Sequence, residues 1–224
     1  MATIELTNIN KSFGSGSSQI DVLKNINFSA NKGELSLVLG PSGSGKSTFL
    51  TIAGGIQTPT SGQVVVEDEA LESLSAKQRD ALRLQRIGFI LQAYSLIPYL
   101  TVAEQFQLVD RIKASDNLDA AQLEQLLDQL GIADLTHKYP SELSGGQTQR
   151  VAIARALYAN PDIVLADEPT AALDSSRVEV VGQLLHDLAK SQDKAIVVVT
   201  HDLRLRDFAD HIYEIMDGEM KETA

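Results

Sequence analysis

The stretch whose residues carry the clearest chemistry is Gly40–Thr48, which reads Gly-Pro-Ser-Gly-Ser-Gly-Lys-Ser-Thr. It fits the pattern G-x-x-x-x-G-K-[ST], in which glycines let successive backbone N–H groups converge on a phosphate. Lys46 adds a positive charge for the β- and γ-phosphates, and the Ser47 hydroxyl can hold Mg²⁺. We therefore predict a nucleoside triphosphate site formed by Gly40, Pro41, Ser42, Gly43, Ser44, Gly45, Lys46, Ser47 and Thr48.

The segments on both sides of this loop support the prediction. Glu34–Leu39 reads as a buried strand, and Ser47–Ala53 reads as the start of a helix. A helix that begins at the loop directs its N-terminal N–H groups and the positive end of its dipole toward a bound phosphate. The alternative is a glycine- and serine-rich connection without a ligand, and the strand-before, helix-after arrangement disfavours it.

A second part of an active site is predicted at the end of the apolar strand Ile163–Glu168, which closes with two carboxylates. Adjacent residues at a strand end point in different directions, so one carboxylate can hold Mg²⁺ while the next faces an attacking water. We assign Asp167 to the metal and Glu168 to the general base. The alternative is that both residues cap the following helix, and the phosphate loop upstream favours catalysis.

Two further strand ends carry candidate residues. His201 follows the apolar strand Ala195–Val199, and at the carboxyl end of a parallel strand it can contact the γ-phosphate or orient water. Gln92 follows the apolar run Ile87–Leu91, and its amide can touch Mg²⁺ or the attacking water. The alternatives at His201 are a solvated loop histidine or Asp202 as a helix N-cap. At Gln92 the alternative is an ordinary polar strand end, which this position alone favours.

The segment Leu143–Gln147, Leu-Ser-Gly-Gly-Gln, precedes a predicted helix. A glycine-bearing helix N-terminus is a second possible anion site. The residues alone favour a capped helix, and they do not indicate whose phosphate would be bound.

The order of predicted elements indicates an α/β fold with a helical insertion. Strands are predicted at Thr3–Asn10, Ile20–Ala30, Gln63–Glu67, Ile87–Gln92, Ile163–Ala166, Ala195–Thr200 and Ile212–Met216. Apolar residues fall at helical spacing from Thr101 to Gly131, and further helices are expected at Gly146–Ala159, Ser175–Lys190 and Leu203–Ala209. We predict a mostly parallel core of residues 1–92 and 160–224 with a β-rich entry, and a helical subdomain of residues 93–159.

Composition narrows the function classes. The 224 residues suffice for one large domain or two lobes, and 19 basic against 30 acidic residues give a net charge of −11. This charge repels a phosphate backbone, so we expect no nucleic-acid partner. The absence of cysteine excludes disulfides and thiolate metal sites.

The first residues do not form a secretory signal, and apolar runs such as Ala195–Val199 are far shorter than the ~20 residues of a membrane span. We expect a cytoplasmic chain that reaches a membrane through a partner.

Taken together, these motifs resemble those of the ATP-binding cassette (ABC) ATPases, over essentially the whole chain. The matching positions are Gly40–Thr48, the switch glutamine Gln92, the signature Leu143–Gln147, the metal-and-base strand Ile163–Glu168, the dimer-contact loop Ala172–Asp174 and the switch histidine His201. The resemblance implies a P-loop NTPase core with an N-terminal antiparallel β subdomain and an inserted α-helical subdomain. It also implies ATP and Mg²⁺ as ligands.

In this family two cassettes pair head to tail, and the resemblance implies the same here. Ser144, Gly145 and Gly146, with Leu143 and Gln147 beside them, would close over the γ-phosphate held by the partner's phosphate loop, and Asp174 would lie at the dimer contact. Phe13 stands where the family stacks an aromatic ring on adenine. The alternative for Phe13 is a core residue at the end of the first strand.

The resemblance is strongest to cassettes of the macrolide-efflux and lipoprotein-release type, through Gly88–Gln92 and Leu96–Glu104. Thr148 and Ala171 depart from the common Gln and Ser of the family, away from the predicted chemistry. An apolar, aromatic stretch is expected either to make a docking groove for a membrane subunit or to pack inside the insert; it comprises Tyr94, Ile97, Pro98, Tyr99 and Leu100.

The predicted function is ATP hydrolysis by one subunit of a membrane transporter, on the cytoplasmic side of the cell membrane. Its predicted partners are a second ATPase subunit, in a homodimer, and an integral membrane permease. A soluble ABC-type ATPase acting on DNA or ribosomes is the alternative, but such relatives usually carry a coiled-coil insertion or two cassettes. A small-molecule kinase would leave Leu143–Gln147 unexplained.

Overall fold

The computed structural model describes residues 2–92 and 95–223. Its strands and helices are numbered in chain order. An antiparallel four-stranded sheet in the order β2-β1-β4-β5 opens the fold, and it comprises β1 (Ile4–Phe13), β2 (Ile20–Ala30), β4 (Ser61–Val66) and β5 (Glu69–Ala70). This sheet is the predicted β-rich entry.

The second sheet has six strands in the order β10-β9-β3-β8-β7-β6. Its members are β3 (Leu35–Leu39), β6 (Ile87–Ile90), β7 (Ile163–Asp167), β8 (Ala195–Thr200), β9 (His211–Met216) and β10 (Glu219–Glu222). All neighbours are parallel except β9 and β10. The central strands β3, β7 and β8 are buried along their whole length, which explains their continuous apolar sequences.

Six α-helices and several short 3-10 turns complete the described part of the chain. The helices are α1 (Lys46–Ala53), α2 (Ala76–Arg86), α3 (Val102–Ile112), α4 (Ala120–Gln129), α5 (Gly145–Tyr158) and α6 (Ser175–Gln192). Side-chain capping boxes begin α2, α3, α4 and α5, at Ser75, Thr101, Asp119 and Ser144. The predicted helix end at Gly131 is confirmed, because α4 stops just before it and Gly131 has a φ of +60°.

Two apolar cores lie on opposite faces of the six-stranded sheet. On one face, Val38, Leu165 and Val197 pack with α1 and the antiparallel sheet. On the other face, alternate strand residues such as Val164 and Val198 pack with α5, α6 and the helices of the insertion. The sheet is therefore covered on both sides, and the predicted fold class is confirmed.

The structure differs from the sequence-based boundaries at several places; β1, for example, runs to Phe13 instead of Asn10, and β5 was not predicted. The helical stretch from Thr101 to Gly131 is broken between α3 and α4, where Asp116 has a φ of +64°. Strand β6 ends at Ile90, so Gln92 lies in a turn beyond it. Leu203–Phe208 forms a 3-10 helix, and β10 follows the strand expected to be last. Because β10 is a mostly exposed edge strand, backbone pairing holds it without an apolar sequence pattern.

Candidate nucleotide site

A cleft of about 290 Å³ lies at the carboxyl ends of the central parallel strands. It brings together residues from five separate segments of the chain. Its lining consists of Val22, Ser42, Gly43, Gly45, Lys46, Ser47, Thr48, Gln92, Asp167, Glu168 and His201. Ligands of open α/β sheets bind at this edge.

Close packing explains why two positions of the phosphate loop are glycine. A Cβ atom on Gly40 would lie 2.4 Å from the carbonyl oxygen of Ile215. Gly45 precedes α1 with a φ of +105°, and a Cβ atom there would lie 2.8 Å from Leu23 Cδ2 and 2.9 Å from Val22 O. The loop therefore takes its shape from β2 and β9 as well as from its own sequence.

Two polar groups of the loop fit a phosphate ligand. Lys46 is buried, and its Nζ donates to the carbonyl oxygens of Gly40 and Pro41 at 2.7 and 2.9 Å. Ser44 Oγ is buried and finds no hydrogen-bond partner among the described residues. A buried hydroxyl without a partner is costly, and a phosphate oxygen would satisfy it.

Asp167 stands beside the helix start in a buried position. Burial raises the pKa of its carboxyl, and the negative charge of Glu168 adds to this, while a hydrogen bond from Ser47 and the charge of Lys46 act in the opposite direction. A divalent cation would stabilise the charged carboxylate. The described residues contain no group of three or more His, Cys, Asp or Glu side chains placed to hold a metal. A single Asp with a Ser hydroxyl suits Mg²⁺, which takes few protein ligands and shares substrate phosphates.

Glu168 is held by neighbours on the next strand. Its Oε2 accepts a hydrogen bond from Thr200 Oγ1 at 2.6 Å, and its Oε1 lies 2.8 Å from His201 Nδ1. The backbone N–H of His201 also donates to Oε1 at 3.2 Å. With its Nδ1 protonated, His201 donates to the carboxylate a second time. Glu168 itself has a φ of +50°, a left-handed conformation that costs free energy outside glycine and persists where surrounding contacts enforce it.

His201 and Gln92 reach the same cleft by different routes. The side chain of His201 is 66% exposed, and it leans on Glu168 from the end of β8. Gln92 is exposed in the turn after β6 and lines the same cleft. The structure thus places both predicted switch residues beside Asp167 and Glu168.

The signature segment lies outside this cleft. Ser144 accepts a hydrogen bond from the N–H of Gln147 at 3.3 Å, and the Gln147 side chain accepts one from the N–H of Ser144 at 2.8 Å, which caps α5. Ser144 and Gly145 are exposed, and Leu143, Gly146 and Gln147 are half-buried. None of these residues lines the cleft.

Five other predicted residues also lie outside the cleft lining: Gly40, Pro41 and Ser44 of the phosphate loop, Phe13 and Asp174. Phe13 is 42% exposed at the end of β1, with Lys11 Nζ 5.0 Å from its ring centroid, so it is not a core residue. Asp174 caps α6 by accepting from the Arg177 N–H at 3.0 Å and from Ser176 Oγ at 2.7 Å.

The residues of the aromatic stretch expected to dock a membrane subunit differ in their exposure. Tyr99 is 76% exposed and Pro98 is also exposed, whereas Ile97 and Leu100 are half-buried. The buried amide of Gln105 holds their backbone, through Ile97 N, Ile97 O and Leu100 O. Tyr94 lies outside the described residues.

Sequence reasoning missed three residues that shape the site. Val22 lines the cleft from β2, Thr200 holds Glu168, and Gln149 bonds the Glu168 carbonyl oxygen. The position of Thr200 directly before His201 at a strand end was an available signal. Val22 and Gln149 lie far along the chain from the groups they contact and carry no comparable signal.

This combination of a phosphate loop, an acidic strand end and a capped Ser-Gly-Gly helix on a helical insertion defines an ATP-hydrolysing cassette. The chain belongs to the ABC transporter family, whose match spans residues 23–171. It is an ATP-binding subunit that hydrolyses ATP.

Relatives of similar length cover nearly the whole chain. A protein of Staphylococcus haemolyticus, described as putative hemin import ATP-binding protein HrtA, is 45% identical over 97% of this chain and 99% of its own. A Staphylococcus aureus protein of the same description is 44% identical over 94% of this chain and 95% of its own.

Solved structures extend the similarity to the fold. The dimeric structure of MJ0796, a bacterial ABC transporter cassette, has a TM-score of 0.89 and 40% identity, and the match covers 98% of this chain and 97% of that chain. A second dimeric structure of MJ0796, in a post-hydrolysis state bound to ADP and Pi, has a TM-score of 0.88. Within residues 2–92 and 95–223, no helix is both long and apolar enough to cross a membrane.

Proposed function

We propose that the chain works as one half of a head-to-tail pair, in which each ATP is held between the phosphate loop of one copy and Leu143–Gln147 of the other. The observation that carries the proposal is the exposure of Ser144 and Gly145 at a capped helix start outside the cleft of Lys46 and Glu168. The dimeric form of the similar MJ0796 cassette supports it. Asp174, which caps α6 near the same surface, is assigned to the contact between copies.

Binding of ATP is assigned to the phosphate loop, with Phe13 stacking on adenine. Lys46 would exchange the carbonyl oxygens of Gly40 and Pro41 for phosphate oxygens, which attract its charge more strongly. Ser47, Asp167 and Gln92 would hold Mg²⁺, which supplies charge neutralisation at the phosphates.

Glu168 is assigned the role of general base. Its carboxylate takes a proton from water as the water oxygen bonds to the γ-phosphorus and the bond to the β,γ-bridging oxygen breaks. Thr200 and His201 each bond one of the carboxylate oxygens, and the remaining lone pairs are available to the attacking water. His201 is assigned to orient the carboxylate and to contact a γ-phosphate oxygen.

We assign to this pair the role of driving a separate membrane permease by ATP hydrolysis. We place the core at residues 1–92 and 160–224 and the helical subdomain at 93–159, with exposed Tyr99 on the docking side. The chain would then lie at the cytoplasmic face of the membrane. The residues Gly88–Gln92 and Leu96–Glu104 favour a permease of the macrolide-efflux or lipoprotein-release type.

The relatives described as hemin transport proteins make hemin the first cargo to test. Co-purification of the tagged full chain from membranes would identify the permease, and ATP turnover of that complex would be compared with and without hemin and a lipopeptide. Turnover that responds to neither cargo would contradict this assignment.

A mixing experiment tests the shared site. A homodimer of Glu168→Gln lacks the base in both pockets, and a homodimer of Ser144→Arg has a blocked signature in both pockets. The ATP turnover rate of each homodimer should therefore be about a hundredfold or more below that of wild type. A mixed head-to-tail pair contains one pocket with both residues intact. If half of the dimers are mixed and each has one working pocket, the equimolar mixture should recover roughly a quarter of the wild-type rate.

Phosphate release would be measured for both variants, for the mixture and for the wild-type chain. Dimer formation with ATP would be followed by sedimentation. Full turnover by Ser144→Arg alone would contradict the shared site, because no pocket would then need Ser144. Full turnover by Glu168→Gln alone would remove Glu168 from its role.

A further inference from the structure

One buried side chain connects the signature helix to the catalytic strand end. Gln149 lies on α5, one helical turn beyond Gly146, and is 1% exposed. Its Nε2 donates to the carbonyl oxygen of Glu168 at 3.0 Å, and its Oε1 accepts from the N–H of Ala172 at 3.0 Å. A single amide therefore holds both ends of the turn that follows Glu168.

This turn carries backbone strain at the catalytic residue. Glu168 has a φ of +50°, and such a conformation persists only where neighbouring contacts enforce it. Its N–H donates to Val199 O at 2.9 Å, and its carbonyl oxygen accepts from Gln149 and, more weakly, from the Ala171 N–H at 3.3 Å. Gln149 is the side chain that holds the peptide group on the C-terminal side of Glu168.

The first turn of α5 packs on the same segment. A Cβ atom on Gly146 would lie 3.1 Å from Ala172 O and 3.4 Å from Leu173 Cδ2. Residues three apart on a helix share a face, so Gly146 and Gln149 meet the turn together. A displacement of the signature helix would be transmitted to the backbone of Glu168.

We propose that Gln149 is a positioning residue for hydrolysis: it aligns Glu168 with the attacking water according to the position of the signature helix. The inference rests on the proposed function, because it takes Glu168 as the base and the signature as the contact to the partner's ATP. Gln149 does not line the cleft and acts through the Glu168 backbone.

Gln105 provides a matched control. It is also a fully buried glutamine that bonds backbone groups, at Ile97 and Leu100, but it is not among the described residues that line the cleft. Gln105→Met and Gln149→Met therefore delete the same chemistry from two buried sites. A loss of turnover that comes only from weakened packing would appear in both variants.

The test compares wild type, Gln149→Met, Gln105→Met, Glu168→Gln and the double variant Gln149→Met/Glu168→Gln, all as full chains. Gln149→Met should lower kcat about tenfold or more, since small displacements of a reacting group are costly. Its nucleotide affinity should stay within about twofold of wild type, because the phosphate loop is untouched. In single-turnover assays on the Glu168→Gln background, Gln149→Met should cause no further loss.

Gln149→Glu is measured in parallel and replaces Gln149→Met if the latter fails to fold. It keeps the acceptor for Ala172 N–H but loses the donor to Glu168 O, so it should also lower kcat. The inference is overturned if Gln149→Met and Gln105→Met hydrolyse ATP at equal rates. It is also overturned if Gln149→Met lowers the rate by the same factor in the wild-type and Glu168→Gln backgrounds.

Different results would exclude the role of Gln149 alone and the proposed function as a whole. Normal turnover by Gln149→Met beside an inactive Glu168→Gln would remove this inference alone. Normal turnover by Glu168→Gln would remove the proposed function and this inference with it.

Discussion

At the scale of single residues, the two adjacent carboxylates differ because their surroundings differ. Asp167 is buried against the helix start, and burial raises its pKa. Glu168 instead accepts hydrogen bonds from Thr200 and His201. The first environment suits the proposed Mg²⁺ ligand, and the second suits the proposed general base.

Thr200 provides a prediction at this scale. Its hydroxyl donates to Glu168 Oε2 at 2.6 Å and accepts from Asp202 N at 3.0 Å, and the residue is fully buried. Thr200→Val keeps the shape but frees the carboxylate and leaves the Asp202 N–H unpaired. We expect kcat to fall about tenfold and stability to fall by about 1–3 kcal/mol.

Thr170→Val is the control for this change. Thr170 is equally buried, and its hydroxyl donates to Asp202 Oδ2 at 2.9 Å rather than to Glu168. Chemical denaturation and phosphate release would be measured for both variants. Equal effects on kcat would mean that the Thr200 bond to Glu168 is not needed.

At the scale of elements, the site depends on how a loop joins a strand to a helix. Strand β3 ends at Leu39, and α1 begins at Lys46. The turn between them is possible because Gly45 takes a φ of +105° against Val22 and Leu23 of the antiparallel sheet. The phosphate loop is therefore clamped by an element outside the core sheet.

Gly45→Ala should disturb this clamp. The positive φ costs any residue with a Cβ atom about 1–2 kcal/mol, and the new atom would lie 2.9 Å from Val22 O. We expect lower thermal stability, and nucleotide affinity reduced by about tenfold or more because the loop must shift.

Gly16→Ala separates the cost of the positive φ from the effect of the close contact. Gly16 also has a positive φ of +58°, but a Cβ atom there would meet nothing within 4 Å. It should lose some stability and keep its nucleotide affinity. Calorimetric titration with ATP would decide, and equal affinities in the two variants would contradict the steric argument.

At the scale of the whole molecule, an ionic cluster joins the two sheets away from the cleft. Asp162 precedes β7 and pairs with Arg86 at the end of α2, at 2.6 Å, and with Lys32 before β3, at 3.7 Å. Both cations also pair with Glu67, just after β4, at 3.2 and 3.3 Å. The cluster thus connects the antiparallel sheet to the core.

The cluster predicts an acid dependence of stability. Burial acts to raise the pKa of Asp162, but the Arg86 hydrogen bond and the charge of Lys32 outweigh it and hold that pKa below the ordinary 3.8. The stabilisation is therefore complete above pH 3.8 and is lost as the pH falls through the folded-state pKa. Asp162→Asn should lower stability near neutral pH by roughly 1 kcal/mol and flatten this acid dependence.

Denaturant unfolding at a series of pH values would measure the effect. Asp128→Asn, at an exposed position on α4, is the matched control for removing one negative charge. Identical pH profiles for Asp162→Asn and wild type would show that the cluster does not couple protonation to folding.

Much of this protein was predictable from local sequence. The phosphate loop, the acidic end of β7, the capped start of α5 and the order of strands and helices each depend on neighbouring residues, so their patterns predicted them. The break between α3 and α4 was missed because turn geometry decides it, and the edge strand β10 was missed because backbone pairing holds it without an apolar pattern.

The sequence by itself determined the chemistry: a nucleotide loop, a carboxylate pair and a second glycine-bearing helix start. Only the tertiary structure decided how these parts meet. It brought Val22 and Gln92 to one cleft, joined Gln149 to the Glu168 backbone and left Ser144 outside. The physical reason is that sheet pairing and core packing join residues far apart in the chain, and no local spacing encodes those contacts.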